Sequence, residues 1–182
     1  MRLVVGLGNP GREYEGTRHN LGFRVADLLA ERAGAAWRLR GDRAEAQAGE
    51  VLLLKPLTYM NLSGPPAREA LAFRNLAPAD CLVVCDDMAL TLGAIRLRAS
   101  GSSGGHHGLD SLIASLGTDA FPRLRVGIGA PPPGVSGADF VLGRFRPDEV
   151  PFVSGAADAA EAWVRLGVQR AMTEHNTPRQ RD

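Results

Sequence analysis

Apolar residues along this chain follow two rhythms. Short runs at Arg2 to Leu7, Trp37 to Arg40, Val51 to Leu54, Leu82 to Cys85, Ala94 to Arg98 and Leu124 to Ile128 are separated by Gly- and Pro-rich turns and read as strands. Several are apolar at consecutive positions, which suits a sheet covered on both faces. The other rhythm is helical: Leu21, Val25, Leu28 and Leu29; Leu109, Leu112, Ile113 and Leu116; and Ala160, Trp163, Val164, Val168 and Ala171. Pro65 and Pro66 open a further helix towards Phe73, because proline is tolerated in a first turn. Strands alternating with helices predict one three-layer α/β domain over residues 1–176, with a central mixed, mostly parallel twisted sheet covered by helices. The polar tail Thr177 to Asp182 is expected to fray. Two loops are expected to be mobile: Ala99 to Gly105 (ASGSSGG) and Ala130 to Ala138 (APPPGVSGA).

Composition narrows this picture only in places. A chain of 182 residues buries a core without staples. Lys+Arg 21 against Asp+Glu 20 leaves a formal charge of +1, so any contact with nucleic acid must come from clustered arginines. Lys55 is the only lysine, and guanidinium is the better fork for phosphate oxygens. Cys81 and Cys85 share one apolar run, and four strand steps hold them about 13 Å apart, too far for a disulfide. Reduced thiols, no signal-like start and no run of membrane-spanning length predict a soluble cytoplasmic protein.

Gly6-Leu7-Gly8-Asn9-Pro10-Gly11 matches G-x-G-x-x-G after a strand and raises the possibility of a dinucleotide-dependent oxidoreductase. That site needs its third glycine inside the opening helix, with the helix N-terminus on the pyrophosphate. Here Pro10-Gly11 makes a turn, and the helical pattern starts only near Asn20. The turn instead leaves Asn9 at the carboxyl end of a central strand, where open α/β sheets bind ligands.

Polar signals recur at strand ends or the loops beside them: Asn9, Arg18-His19-Asn20, Met60-Asn61, and Asp86-Asp87 after the strand ending in Cys85. Gathered at one edge, a histidine near a carboxylate is the minimal general-base arrangement. Taken alone, His19 before a helix is more often a surface or capping residue, and Asp86 a turn residue. No G-x-S-x-G elbow or activated cysteine accompanies them, so the simplest substrate for the base is water, attacking an ester or amide carbonyl. Asn9 and Asn61 can then stabilise the oxyanion. A metal site is less attractive, because adjacent His106 and His107 cannot usually share one face and no further ligand follows at helical spacing.

These residues in this order resemble the bacterial peptidyl-tRNA hydrolase family. The resemblance is carried by VVGLGNPGREYEGTRHNLGF at Val4 to Phe23, KPLTYMNLSG at Lys55 to Gly64, VVCDD at Val83 to Asp87, GSSGGHHGL at Gly101 to Leu109, and RLRVGIG at Arg123 to Gly129. It implies cleavage of the ester between a peptide and the terminal ribose of tRNA, recycling tRNA from stalled translation, by a cofactor-free monomer. Carried onto matching positions, His19 is the catalytic base, Asp86 its partner, and Asn9 and Asn61 the amides that place substrate and water. Asn20, Tyr14 and Met60 would shape the peptide site. Arg96 and Arg98 share a strand face, as do Arg123 and Arg125. The resemblance places phosphate contacts at Arg98 and Arg125, leaving Arg96 and Arg123 as solvated strand positions.

Three departures from the family pattern stand out. His107 occupies the place of an asparagine expected to bind water and substrate. Imidazole can donate one hydrogen bond and accept another, but it is bulkier and titrates near neutrality, so activity is expected with an altered rate or pH profile. Ala89 replaces a second acid, and Asp110 stands where lysine is common. A non-catalytic RNA-binding relative on the same scaffold is the alternative reading.

Overall fold

The computed structural model describes residues 1–149 and 152–178. Among these, seven strands form one sheet: β1 (Arg2–Gly6), β2 (Arg38–Arg40), β3 (Arg43–Ala48), β4 (Val51–Pro56), β5 (Cys81–Asp87), β6 (Ile95–Arg98) and β7 (Arg123–Gly127), in the order β2-β3-β4-β1-β5-β7-β6. The inner pairs β4/β1, β1/β5 and β5/β7 are parallel, and both edges are antiparallel. The helices are α1 (Leu21–Arg32), α2 (Gly64–Phe73), α3 (His107–Leu116), α4 (Gly137–Leu142), α5 (Val153–Leu166) and α6 (Val168–His175). The three-layer α/β expectation holds.

Alternation along the strands builds two cores. Val4, Leu53, Leu82, Val84, Leu124 and Val126 face α1, α5 and α6, with Trp163 at the centre. Leu3, Val5, Leu52, Leu54, Val83 and Cys85 face α2 and α3. In the sheet β4 lies on one side of β1 and β5 on the other, so the crossovers diverge around β1. That divergence opens a crevice at the carboxyl ends of β1 and β5.

Four details differ from the sequence reading. The run Arg43–Ala48 is a strand whose alanines offered no apolar signal, yet Ala44 and Ala46 are buried. The pattern from Ala160 to Ala171 is two helices, because Gly167 adopts φ 81 and breaks the ladder. Ala130 to Ala138 ends inside α4, which starts at Gly137. The tail does not fray at its start: Thr177 and Asn176 hydrogen-bond the backbone of Ile95 and Leu97, covering the exposed edge of β6. Residues 179–182 of that tail lie outside the described residues.

Glycine in the first motif serves packing. A Cβ on Gly22 would lie 2.3 Å from Leu7 N and 2.5 Å from the carbonyl oxygens of Leu7 and Val84. The first turn of α1 thus rests directly on strand backbone, which sets the height at which the preceding residues reach the crevice. No described helix is long and apolar enough to cross a membrane.

Candidate active site

Asp86 and Asp87 end β5 as strand residues, laddered to Val126 and Gly127 of β7, and not in the loop beyond. Successive strand residues point to opposite faces, so Asp87 turns to the α3 side, where it holds Arg125 at 3.0 Å. Asp86 sits at the lip of the sheet, 3% exposed, within reach of both layers. From the α1 side comes His19, on the single 3-10 turn Arg18–Asn20, with Nδ1 2.9 Å from Asp86 Oδ1. From the other side comes His106, immediately before α3, with Nε2 3.1 Å from the same oxygen.

Burial alone would raise the Asp86 carboxyl, but the hydrogen bonds from His106 and His19 and the attraction of their rings more than offset it, holding the group well below the usual carboxylate range. The anion accepts, so the proton lies on His19 Nδ1, and the tautomer is assigned from that partner. His19 lines the cleft, and its Nε2 has no hydrogen-bond partner among the described residues. Burial pushes the thiols of Cys81 and Cys85 up to about 12, so neither is an activated nucleophile.

Ligand atoms of His19, Asp86 and His106 lie within 4.8 Å of one another, a spacing a divalent cation could use. The chemistry of His106 does not suit one. Its Nδ1 accepts the backbone N–H groups of Gly108 and Leu109 at 3.2 and 3.4 Å, which leaves the hydrogen on Nε2 and no lone pair there for a metal. Ligating histidines show the reverse arrangement, donating their second N–H to an acceptor.

Asn9 and Asn20 form a reciprocal pair. Asn9 N–H donates to Asn20 Oδ1 at 2.8 Å, and Asn20 Nδ2 donates to the Asn9 carbonyl at 2.9 Å. The sequence reading set Asn20 beside the base, among the residues that shape the peptide site. Its side chain is spent on the turn that carries Asn9, and it does not line the cavity. Asn9 Oδ1 accepts Met60 N–H at 2.7 Å, so its Nδ2 is the group left to the cavity. Asn61 follows Met60 in the turn Met60–Leu62 and is exposed at the cleft. Tyr14 and Met60 line it, Tyr14 edge-on to Tyr59.

The cleft encloses about 790 Å³. Its far wall, Met88, Val141 and Leu142, had no sequence signal, because α4 returns from distant sequence to pack beside the His19 turn. His107 stands on the rim with its side chain 76% exposed, Nδ1 3.9 Å from Asp110, so two of the departures noted above are neighbours on one helical turn.

The arginines are deployed unequally. In the β6/β7 ladder Arg96 opposes Arg125 and Arg98 opposes Arg123, which puts all four on the α3 side of the sheet. Arg123 is not solvated: it is 1% exposed and donates to the carbonyls of Gly101, Ser102, Asp119 and Phe121. Arg125 lines the cleft and donates to the Ser102 and Ser103 carbonyls as well as Asp87. The loop Ala99 to Gly105, which its composition marked as mobile, is therefore tied down by two guanidiniums and delivers His106. Arg98 is half-buried and away from the cleft wall. Sequence reasoning weighed His106 only as a metal ligand. The available signal was its place directly before a helical pattern, where a side-chain acceptor caps the first turn.

A model of the peptidyl-tRNA hydrolase family matches residues 3–182. The chain belongs to the peptidyl-tRNA hydrolase family. It is 48% identical over 187 residues to the peptidyl-tRNA hydrolase of Symbiobacterium thermophilum, covering 97% of this chain and 99% of that one. The peptidyl-tRNA hydrolase of Rhodopirellula baltica is 45% identical over 185 residues, with 97% of each chain covered. Among solved structures, the peptidyl-tRNA hydrolase of Acinetobacter baumannii superposes with a TM-score of 0.87 at 36% identity, over 97% of this chain and 95% of that one. The resemblance read from the motifs is thus borne out, and with it an enzyme of the hydrolase class.

Proposed function

We propose that this member of the peptidyl-tRNA hydrolase family cleaves the ester joining a peptide, or an N-blocked aminoacyl group, to the 3′-terminal ribose of tRNA, with His19 as general base. The observation that carries the reading is the His19 Nδ1 to Asp86 Oδ1 hydrogen bond at 2.9 Å at the wall of the cleft, because in the neutral ring a hydrogen held on Nδ1 leaves the Nε2 lone pair to accept a proton. Water held by Nε2 and the cleft amides gives its proton to His19 as its oxygen attacks the ester carbonyl. Asp86 stabilises the resulting imidazolium. The carbonyl electrons pass to the oxyanion, which the amide donors of Asn9 and Asn61 stabilise. Collapse breaks the ester C–O bond, and the imidazolium returns the proton to the leaving ribose oxygen.

Tyr14, Met60 and His107 border the space for the peptide, with Asn20 acting through Asn9. Arg98 and Arg125 contact tRNA phosphate, on the sheet face that carries the four arginines of β6 and β7. No cofactor takes part, and the protein works as a cytoplasmic monomer. The test is release of the acyl group from N-blocked aminoacyl-tRNA, with His19→Ala measured alongside. Release by wild type and a loss of about 100- to 10,000-fold in the variant are expected. Equal release by both would remove His19 as base. No release by either, with tRNA binding retained, would make the chain a binding relative.

A further inference from the structure

Two imidazoles meet one carboxylate oxygen in this cleft, and the structure distinguishes what each can do. His19 Nε2 has no hydrogen-bond partner among the described residues, whereas both nitrogens of His106 are engaged, Nδ1 by the amides opening α3 and Nε2 by Asp86. The lone pair that a base would offer is spent on the helix. The side chain is 7% exposed, and its ring centroid lies 4.9 Å from that of His19. A Cβ on Gly108 would meet Met60 Sδ at 2.6 Å and Leu7 Cδ1 at 2.8 Å, with His106 Cε1 next at 3.1 Å, so the first turn of α3 packs closely around the ring.

We propose that His106 is a positioning residue for the hydrolysis: a tautomer-locked N–H donor that clamps Asp86 Oδ1 from the α3 side and shares that oxygen with His19. The inference rests on the reading of His19 as base. With one donor, a carboxylate at a strand end is free to turn about its side-chain bonds. A second donor from the opposite layer fixes the oxygen between the rings. Sharing has a further consequence, because each N–H disperses part of the carboxylate charge and so tempers how strongly Asp86 favours the protonated form of its other partner. Among the described residues, the charges on the surrounding elements are engaged elsewhere: Arg18 of the same turn lies over Phe140, Arg24 of α1 over Phe145, Asp139 of α4 holds Ser136, and Asp87 of β5 holds Arg125.

Two substitutions separate the two bonds of His106. His106→Asn puts an amide oxygen where Nδ1 lies and keeps the cap, but does not reach Asp86. His106→Gln puts an amide N–H near the Nε2 position and gives up the cap. In the asparagine variant, the acidic limb of kcat/KM is expected to move to higher pH by about half to one pH unit, with kcat lowered and Tm close to wild type. The glutamine variant should keep the wild-type limb and lose about 2–4 °C of Tm. A folded asparagine variant with an unmoved limb, or equal displacement in both variants, overturns the proposal. So does a ring 15N spectrum of the wild type that places the His106 hydrogen on Nδ1. Wild-type release by His19→Ala would instead remove the base reading beneath it, a result these variants and the spectrum do not produce.

Discussion

Asn9 Oδ1 accepts the backbone N–H of Met60 at 2.7 Å, joining the turn after β1 to the turn after β4 across fifty-one positions of sequence. This bond sets the rotamer of Asn9 and decides which end of its amide meets the substrate. In Asn9→Asp one oxygen can still take the Met60 N–H, while the donor facing the cleft becomes a negatively charged acceptor. We expect kcat to fall about 100- to 1,000-fold with little change in Tm. Steady-state release of N-blocked aminoacid beside a melting curve checks this, and an unchanged kcat would remove Asn9 from oxyanion stabilisation.

Acid should uncover the role of Asp86 in stability. Its folded carboxyl titrates below the usual range, against about 3.9 in an unfolded chain. A depressed folded value contributes stability that is fully present above the unfolded value and is lost as pH falls through the folded one. Urea unfolding of wild type and Asp86→Asn from pH 2 to pH 7 should therefore give a gap that is level above about pH 4 and narrows steadily as pH falls from there towards 2. A constant gap would show that the carboxylate charge contributes nothing.

Arg123 and Arg98 oppose each other in the ladder but should fail in different assays. Arg123→Ala strands the carbonyls its guanidinium satisfies and is expected to cost about 2–4 kcal/mol in chemical unfolding. Arg98→Ala should stay within about 0.5 kcal/mol of wild type, while the slope of log affinity for tRNA against log salt falls by about one. Equal slopes would sink Arg98 as a phosphate contact.

Gly22→Ala tests the seating of α1. The added methyl would meet backbone atoms of Leu7 and Val84 at 2.3 to 2.5 Å, and backbone cannot rotate away as a side chain can. A loss of about 3 kcal/mol or more is expected in urea unfolding. A cost under about 1 kcal/mol would mean that the helix can lift off the strand end without penalty.

His107 pairs with Asp110 at 3.9 Å with both side chains largely exposed, an arrangement that adds little stability. His107→Asn should leave Tm nearly unchanged and alter the pH profile of kcat/KM. Superimposable pH profiles of the two proteins would remove His107 from the reaction.

Much of this was legible in the linear chain. Strand and helix rhythms carried the layered architecture because burial imposes period on sequence, as Leu3, Val4 and Val5 do by serving opposite cores. The set Asn9, His19, Asn61 and Asp86 was legible through motif order. Less was visible where the signal was short or unconventional: β3 is held by alanines, and His106 caps a helix with a ring nitrogen.

By itself, then, the sequence determined the class of sheet and the family, and put His19 forward as the base. Only the tertiary structure decided how those residues meet, because the deciding contacts join residues far apart in the chain. Asp86 at the lip of β5 is met by His19 across 67 positions and by His106 across 20, one from each layer. Arg123 and Arg125 close the loop that brings the second ring in. Which nitrogen carries a hydrogen, and therefore which imidazole can accept a proton from water, follows from partners that no local pattern reveals.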